Sequence, residues 1–273
     1  MTPSTPKAIS RRALCLGTVS FAAGASILAA LPALATEAEV QTAIASDFGA
    51  LIVPLGDVQI DMPDYSDSGK SVPISVTVPC TMEGLDYPEV VAIYAARNPR
   101  PRVGKVFFTP ACAEATFSTR IRIESYQDIT VVVKMASGEI FKAVRKVDVT
   151  YGACEEAVAN DQFPPGWAPR MRIALPKEVA ANSSVEVRTL ISHPMETGTR
   201  HNNRGLLIPV RIAENFRCSS QGTTLISAQF EPAIAANPYL AFHLKAERSM
   251  ELDFTWTDTT GEIYTTTAEL VVA

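Results

Sequence analysis

Five cysteines and three histidines hold most of the chemistry open to this 273-residue chain. The histidines, His193, His201 and His243, lack the spacings that bring two imidazoles to one metal ion. They are read as surface or turn residues. No GxSxG elbow presents a nucleophilic serine, and no glycine-rich loop could cradle a phosphate. The sequence therefore assigns no catalytic residue, no metal site and no cofactor. Among the cysteines, Cys15 belongs to an N-terminal leader. Cys80 ends one β-rich run and Cys112 follows another, and an up-down-up strand order puts both at the same end of a sandwich. A Cys80–Cys112 disulfide would close a loop of about thirty residues and contribute about 3–4 kcal/mol; the alternative is two free, buried thiols. Cys218, in NFRCSS, lies within an expected strand as a buried, inert thiol. That leaves Cys154, in VTYGACEEA. Either it is a thiol presented on a thin segment, kept narrow by Gly152 and Ala153, or it is bridged to Cys218.

The elements around these cysteines divide the chain into four parts. Residues 1–35 form the leader: Lys7, Arg11 and Arg12 precede an apolar stretch, and Ala33-Leu34-Ala35 supplies small residues for cleavage. The arginine pair in SRRALCLG reads as a twin-arginine signal, so the mature chain is expected in the periplasm. A helix is expected over residues 36–50, where Val40, Ile44 and Phe48 recur every four residues and Gly49 stops the run. Strands follow. Val72, Ile74, Val76 and Val78 alternate with polar or turn residues, and short β-rich runs at 90–95, 105–109, 117–123, 129–135 and 140–150 are separated by turn signals. Residues 157–170 contain Pro164, Pro165, Gly166 and Pro169 without apolar periodicity and read as a linker. The alternation resumes at Val185, Val187 and Thr189 and again at Leu252, Phe254 and Trp256, with a hairpin turn at 258–261. The pattern is all-β: one domain over 36–156, a second over 171–273, and a short N-terminal helix after the signal peptide.

The formal net charge is −5, and removal of a leader with three basic and no acidic residues makes it more negative. Nucleic acid is excluded as a partner, because phosphate contacts need clustered Lys and Arg. Beyond the leader, no apolar run approaches the ~20 residues of a membrane span.

The second domain contains His193-Pro194-Met195-Glu196-Thr197-Gly198, Ala236-Asn237-Pro238-Tyr239-Leu240 and a closing FTWTDTTG block around Trp256. These runs resemble SoxZ of the bacterial Sox sulfur-oxidation system. The first domain resembles SoxY in Val72-Pro73-Ile74-Ser75-Val76, Arg97-Asn98-Pro99, Phe108-Thr109-Pro110 and Ser118-Thr119-Arg120-Ile121-Arg122. The chain is thus similar to a SoxY–SoxZ fusion. The resemblance implies two immunoglobulin-like β-sandwich domains and a non-catalytic carrier whose cysteine sits in a glycine-flanked arm, here at Cys154. It also implies partners: a haem-containing cytochrome that joins thiosulfate to the thiol, a sulfate-releasing hydrolase and a sulfane dehydrogenase. Against the Gly-Gly-Cys-Gly-Gly pattern of the family, this chain reads Gly152-Ala153-Cys154-Glu155-Glu156 and continues into the second domain. The carboxylates oppose both a thiolate and an anionic cargo. Two further readings stay open: a fused carrier associated with a quinoprotein dehydrogenase and with a different cargo, or a non-carrier interaction module with Cys154 in a disulfide.

Overall fold

A computed structural model describes residues 1–2, 34–49, 52–153, 163 and 166–273. The twin-arginine pair, Cys154, expected as the carrier cysteine, and the two glutamates after it lie outside the described residues. The compact unit spans Pro32–Ala273. Helix α1 (Glu37–Phe48) begins with a capping box, in which Thr36 accepts from the Glu39 backbone and the Glu39 side chain accepts from the Thr36 backbone. It ends at Gly49 in the left-handed region, as the sequence suggests.

Fifteen strands follow among the described residues. The N-terminal half supplies β1 (Gln59–Asp61), β2 (Tyr65–Ser68), β3 (Val72–Thr77), β4 (Pro88–Ala95), β5 (Arg102–Phe108), β6 (Cys112–Ile121), β7 (Gln127–Met135) and β8 (Ile140–Tyr151). The C-terminal half supplies β9 (Met171–Ala174), β10 (Ser183–Ile191), β11 (Ala213–Ser220), β12 (Thr223–Phe230), β13 (Tyr239–Ala246), β14 (Met250–Asp258) and β15 (Ile263–Leu270). Strands β3–β8, β10 and β14 fall where the apolar runs place them, β12 and β13 were not read from the sequence, and the short β1, β2 and β9 carry too few residues to show a period.

The strands form two sheets, and both run through the two halves. One has the order β1-β3-β6-β13-β10-β9, the other β15-β14-β11-β12-β5-β4-β7-β8-β2. The halves meet as antiparallel neighbours in each sheet. In the smaller sheet β13 pairs with β6 through Ala241↔Ser118 and Phe242↔Phe117. In the larger, β12 pairs with β5 from Ile226↔Phe108 to Phe230↔Gly104. One apolar cluster therefore joins Val76, Phe117 and Val131 to Phe216, Phe242 and Trp256 across the family of inward-facing positions.

Strands β4 and β7 are apolar on both faces because both faces are covered. Val91, Ile93, Val131 and Val133 face the main core, whereas Ala92, Tyr94 and Val132 pack under Val40, Ala43 and Ile44 of α1. A charged clamp fixes the helix there. The Asp47 carboxylate accepts from the Tyr94 hydroxyl at 2.6 Å, from Arg102 Nε at 2.9 Å, and pairs with Lys105 Nζ at 2.9 Å. Burial by itself would raise the Asp47 pKa, but the hydrogen bonds from Arg102, Tyr94 and Lys105 outweigh it and hold the carboxyl below its ordinary 3.8.

The bridge expected between Cys80 and Cys112 is not formed; both are free thiols. Their strands do end together, since β3 and β6 pair through Thr77↔Thr116. The side chains diverge: Cys112 Sγ points into the core, 3.6 Å from the Leu225 carbonyl, and Cys80 Sγ turns to Met82 Sδ at 3.5 Å. Burial pushes the Cys112 thiol up to about 11 and raises Cys80 as well. Cys218 is a buried free thiol in β11.

The clamp predicts that Asp47→Asn lowers unfolding free energy by about 1–3 kcal/mol at neutral pH. A carboxyl with a depressed folded-state pKa stabilises above its unfolded value and loses that contribution as pH falls through the folded value. Urea midpoints of wild type and Asp47→Asn should then converge between pH 5 and pH 2; a gap that persists at low pH would show that the charge is not what holds the helix.

Candidate functional site

The segment leading to Cys154 leaves the fold at a three-way backbone junction. Gly69 donates to the Tyr151 carbonyl at 2.7 Å, Ile123 donates to the Gly69 carbonyl at 2.8 Å, and Ala153 donates to the Ile123 carbonyl at 3.1 Å. Two glycines permit this approach. A Cβ on Gly69 would lie 1.9 Å from the Ile123 carbonyl oxygen, and one on Gly152 would lie 2.4 Å from that of Glu124. Gly152 is therefore buried packing at the root of the arm, while Ala153 stands half-buried at its exit.

Asn98, from the Arg97-Asn98-Pro99 motif, holds the middle strand of the junction from the side. Its carboxamide is 3% exposed; Nδ2 donates to the Arg122 carbonyl at 2.7 Å, and Oδ1 accepts from the Glu124 backbone at 3.1 Å and from Gln127 Nε2 at 3.0 Å. The side chain of Arg122 then crosses to the C-terminal half and donates to the Met195 carbonyl at 2.9 Å.

Ala153 opens onto a cavity of about 480 Å³ walled by both halves. Lys70 and Arg122 line it from the N-terminal half, and Ser192, Thr197, Thr199 and Arg200 from the C-terminal half. Among the described residues the lining has three cationic side chains and no acidic one. Two lining residues, Met195 and Asn237, sit at φ 57°, a conformation a methionine adopts only when its surroundings over-determine it. They do. The Met195 backbone N–H donates to His193 Nδ1 at 3.0 Å, its carbonyl is held by Arg122, and its Sδ accepts from the Ala213 backbone at 3.2 Å.

Two family models match the sequence: sulfur oxidation protein SoxY over residues 44–154, ending on Cys154 itself, and sulphur oxidation protein SoxZ over residues 171–269. The chain is a SoxY–SoxZ fusion. The cavity thus lies where the SoxY and SoxZ halves meet, and it uses residues of both. The comparison with curated proteins gave no match. Among solved structures the chain is similar to a superoxide reductase (neelaredoxin) from Ignicoccus hospitalis, at 16% identity over 42% of this chain and 94% of that one with a TM-score of 0.32. It is also similar to a beta-glycosidase from Bacteroides vulgatus, at 11% identity over 78% of this chain and 24% of that one with a TM-score of 0.24. Likeness at this level carries no argument about the site.

Behind the cavity the SoxZ half holds a buried polar cluster that sequence reasoning missed. His193, expected at the surface, is fully buried. Its Nε2 lies 3.9 Å from Asp258 Oδ2 and has no hydrogen-bond partner among the described residues. Asp258 instead accepts from Arg211 Nε at 3.0 Å and from the Thr260 backbone at 2.8 Å. Phe163 and Trp167, at the end of the linker, close over the imidazole at 5.3 and 5.4 Å, and the Arg211 guanidinium stacks 4.3 Å from the Phe163 ring. The linker is thereby fastened to the SoxZ half at its far end, as Ala153 fastens it to the SoxY half at its near end. The signal for this cluster was the motif His193-Pro194-Met195, whose histidine is structural. Of the other histidines, His201 is exposed and His243 faces Glu114 at 3.3 Å. No group of three or more His, Cys, Asp or Glu among the described residues could hold a metal ion.

Two predictions follow from the packing. Gly152→Ala meets backbone that cannot give way, so it should destabilise the protein by about 1–3 kcal/mol in urea unfolding; an unchanged midpoint would make Gly152 a free hinge instead. Burial above all lowers the His193 pKa, to about 4. A histidine depressed in the folded state contributes fully above its unfolded value near 6.5 and loses that contribution as pH falls toward 4. About 3 kcal/mol of acid-induced loss over that window should disappear in His193→Gln, which a pH series of thermal melts reads directly.

Proposed function

We propose that this fusion is a periplasmic, non-catalytic carrier in sulfur oxidation, exported by the twin-arginine leader, with Cys154 as its attachment thiol. The observation that carries this reading is the position of Ala153: the residue before Cys154 lines a basic cavity built by both halves. A free thiol with pKa near ~8.5 is only a few per cent thiolate at neutral pH, and adjacent carboxylates raise that pKa further. Lys70, Arg122 and Arg200 line that cavity with no acidic side chain among its described lining, a setting that favours both a thiolate and an anionic cargo near the arm's root. Arg200 is itself paired with the buried Glu196, which fixes its position and compensates much of its charge.

The chemistry belongs to the partners. In loading, the Cys154 sulfur and the outer sulfur of thiosulfate form a disulfide bond, the thiol proton passes to water, and two electrons pass to the haem cytochrome. In release, the hydrolase directs water to the sulfonate sulfur; the S–S bond to that sulfur breaks, sulfate leaves and a persulfide remains for the sulfane dehydrogenase. A second reading, a quinoprotein-dehydrogenase-associated carrier with another cargo, is favoured by Glu155 and Glu156 in place of glycines.

Intact-protein mass spectrometry tests the assignment. With thiosulfate and the haem cytochrome, wild type should gain one thiosulfonate group and Cys154→Ser none. Loading by a sulfane donor but never by thiosulfate would support the second reading. A Cys154–Cys218 disulfide in the native protein would remove the carrier role altogether.

A further inference from the structure

Ala153, the residue before Cys154 in the sequence, is hydrogen-bonded into the junction and lines the cavity. An enzyme that acts on Cys154 must therefore come up to the rim of that cavity, and whatever stands beside the rim meets the enzyme. What stands there is a two-stranded ribbon of the SoxZ half, residues 196–211. Glu196 and Arg211 exchange both backbone hydrogen bonds at its base, at 2.8 and 3.0 Å, and Ile208 donates to the Arg200 carbonyl at 2.9 Å farther out. Thr197, Thr199 and Arg200 on its first arm line the cavity.

The tip of this ribbon has an unusual surface for the chain that bears it. Of the ribbon's three arginines, Arg200 pairs with Glu196 and Arg211 with Asp258, which leaves Arg204 as the arginine at the tip, on a protein of net charge −5. Leu206 and Leu207 stand side by side there at 61% and 58% exposure, next to the exposed Arg204 and His201. The tip is also held in shape, because Asn202 Oδ1 accepts from the Arg204 and Leu206 backbones at 2.9 and 3.0 Å. Its base is fixed by Arg211 on the buried Asp258. Little ordering is left for binding to supply.

We propose that this ribbon docks the enzyme that loads Cys154, an enzyme whose active-site mouth carries an apolar recess for the two leucines flanked by acidic side chains for Arg204. The proposal rests on the carrier reading of Cys154. Apolar anchors ringed by charge are how small interfaces concentrate affinity, and opposite charge at a rim acts mainly on the association rate.

The test compares two rates on the full-length mature chain: loading of Cys154 by thiosulfate with the haem cytochrome, and labelling of Cys154 by a small aromatic disulfide. In Arg204→Glu and in the double variant Leu206→Asp/Leu207→Asp, loading should slow about tenfold or more while labelling stays at the wild-type rate. The wild-type loading rate should also fall with added salt more steeply than that of Arg204→Glu. Thermal melting confirms that both variants fold, and Arg204→Glu, wholly at the surface, guards against a fold defect in the other. Wild-type loading with both variants loaded equally fast would overturn the docking assignment and leave the carrier intact. Slower sulfate release by the hydrolase with unchanged loading would also overturn it, as would loading and labelling that slow together. A wild type that is never loaded would overturn the carrier reading itself, and the docking role with it.

Discussion

Backbone pairing across the boundary between the two families is the constraint on which the rest depends. Strands β5 and β12 in one sheet and β6 and β13 in the other place SoxY and SoxZ segments as immediate neighbours. If the halves separated, each would expose a strand edge in both layers together with the apolar face behind it. Unpaired edges of that kind recruit other chains, and the inward residues would lose a shared core that includes Phe117, Phe216 and Phe242. Fusion removes the translational and rotational entropy of bringing the halves together. It is chemically cheap here because the linker runs between two points already fixed in the fold, Ala153 and the Phe163–Trp167 pair.

That same pairing builds the site. Arg122 extends from the end of β6 and reaches the SoxZ carbonyl of Met195 because β13 lies beside β6. A strained methionine, an arginine and a buried histidine thus form one chain of contacts from the SoxY junction to the SoxZ interior. The energy that keeps Met195 at positive φ comes from three separate hydrogen bonds, one of which belongs to the other half. The cavity is consequently a property of the joined halves, and neither half would hold its shape alone.

The alternation of apolar residues made the long strands legible, and Val72, Ile74 and Val76 are all buried as their period requires. The four-residue recurrence of Val40, Ile44 and Phe48 and the stop at Gly49 made the helix legible for the same local reason. Register and pairing across the boundary were not legible, since they depend on contacts more than a hundred residues apart. The Cys80–Cys112 expectation failed at that level: the strands end together as counted, but the pleat and the local turn aim the two sulfurs at different neighbours. His193 failed for another reason. Its motif was read for resemblance and its imidazole as a surface or turn residue, and neither reading gave a sign that it would be sealed under Trp167 and Phe163. Cys154 was singled out by resemblance and lies outside the described residues, while the basic lining beside Ala153 was hidden because Lys70, Arg122 and Arg200 are far apart in sequence.

The charge distribution ties these features together. Under the proposed role, a carrier of anions on an acidic chain gains nothing from long-range attraction and must recruit cargo and partner through local fields. Screening at physiological salt cuts off at ~8 Å, so the three cations around the cavity act on the arm's root and barely beyond it. Glu155 and Glu156 lie within one or two residues of the thiol, where no screening intervenes. Under the proposed carrier role, two local fields are then set against each other: cations on the wall that Ala153 lines, and two carboxylates next to the thiol in the sequence.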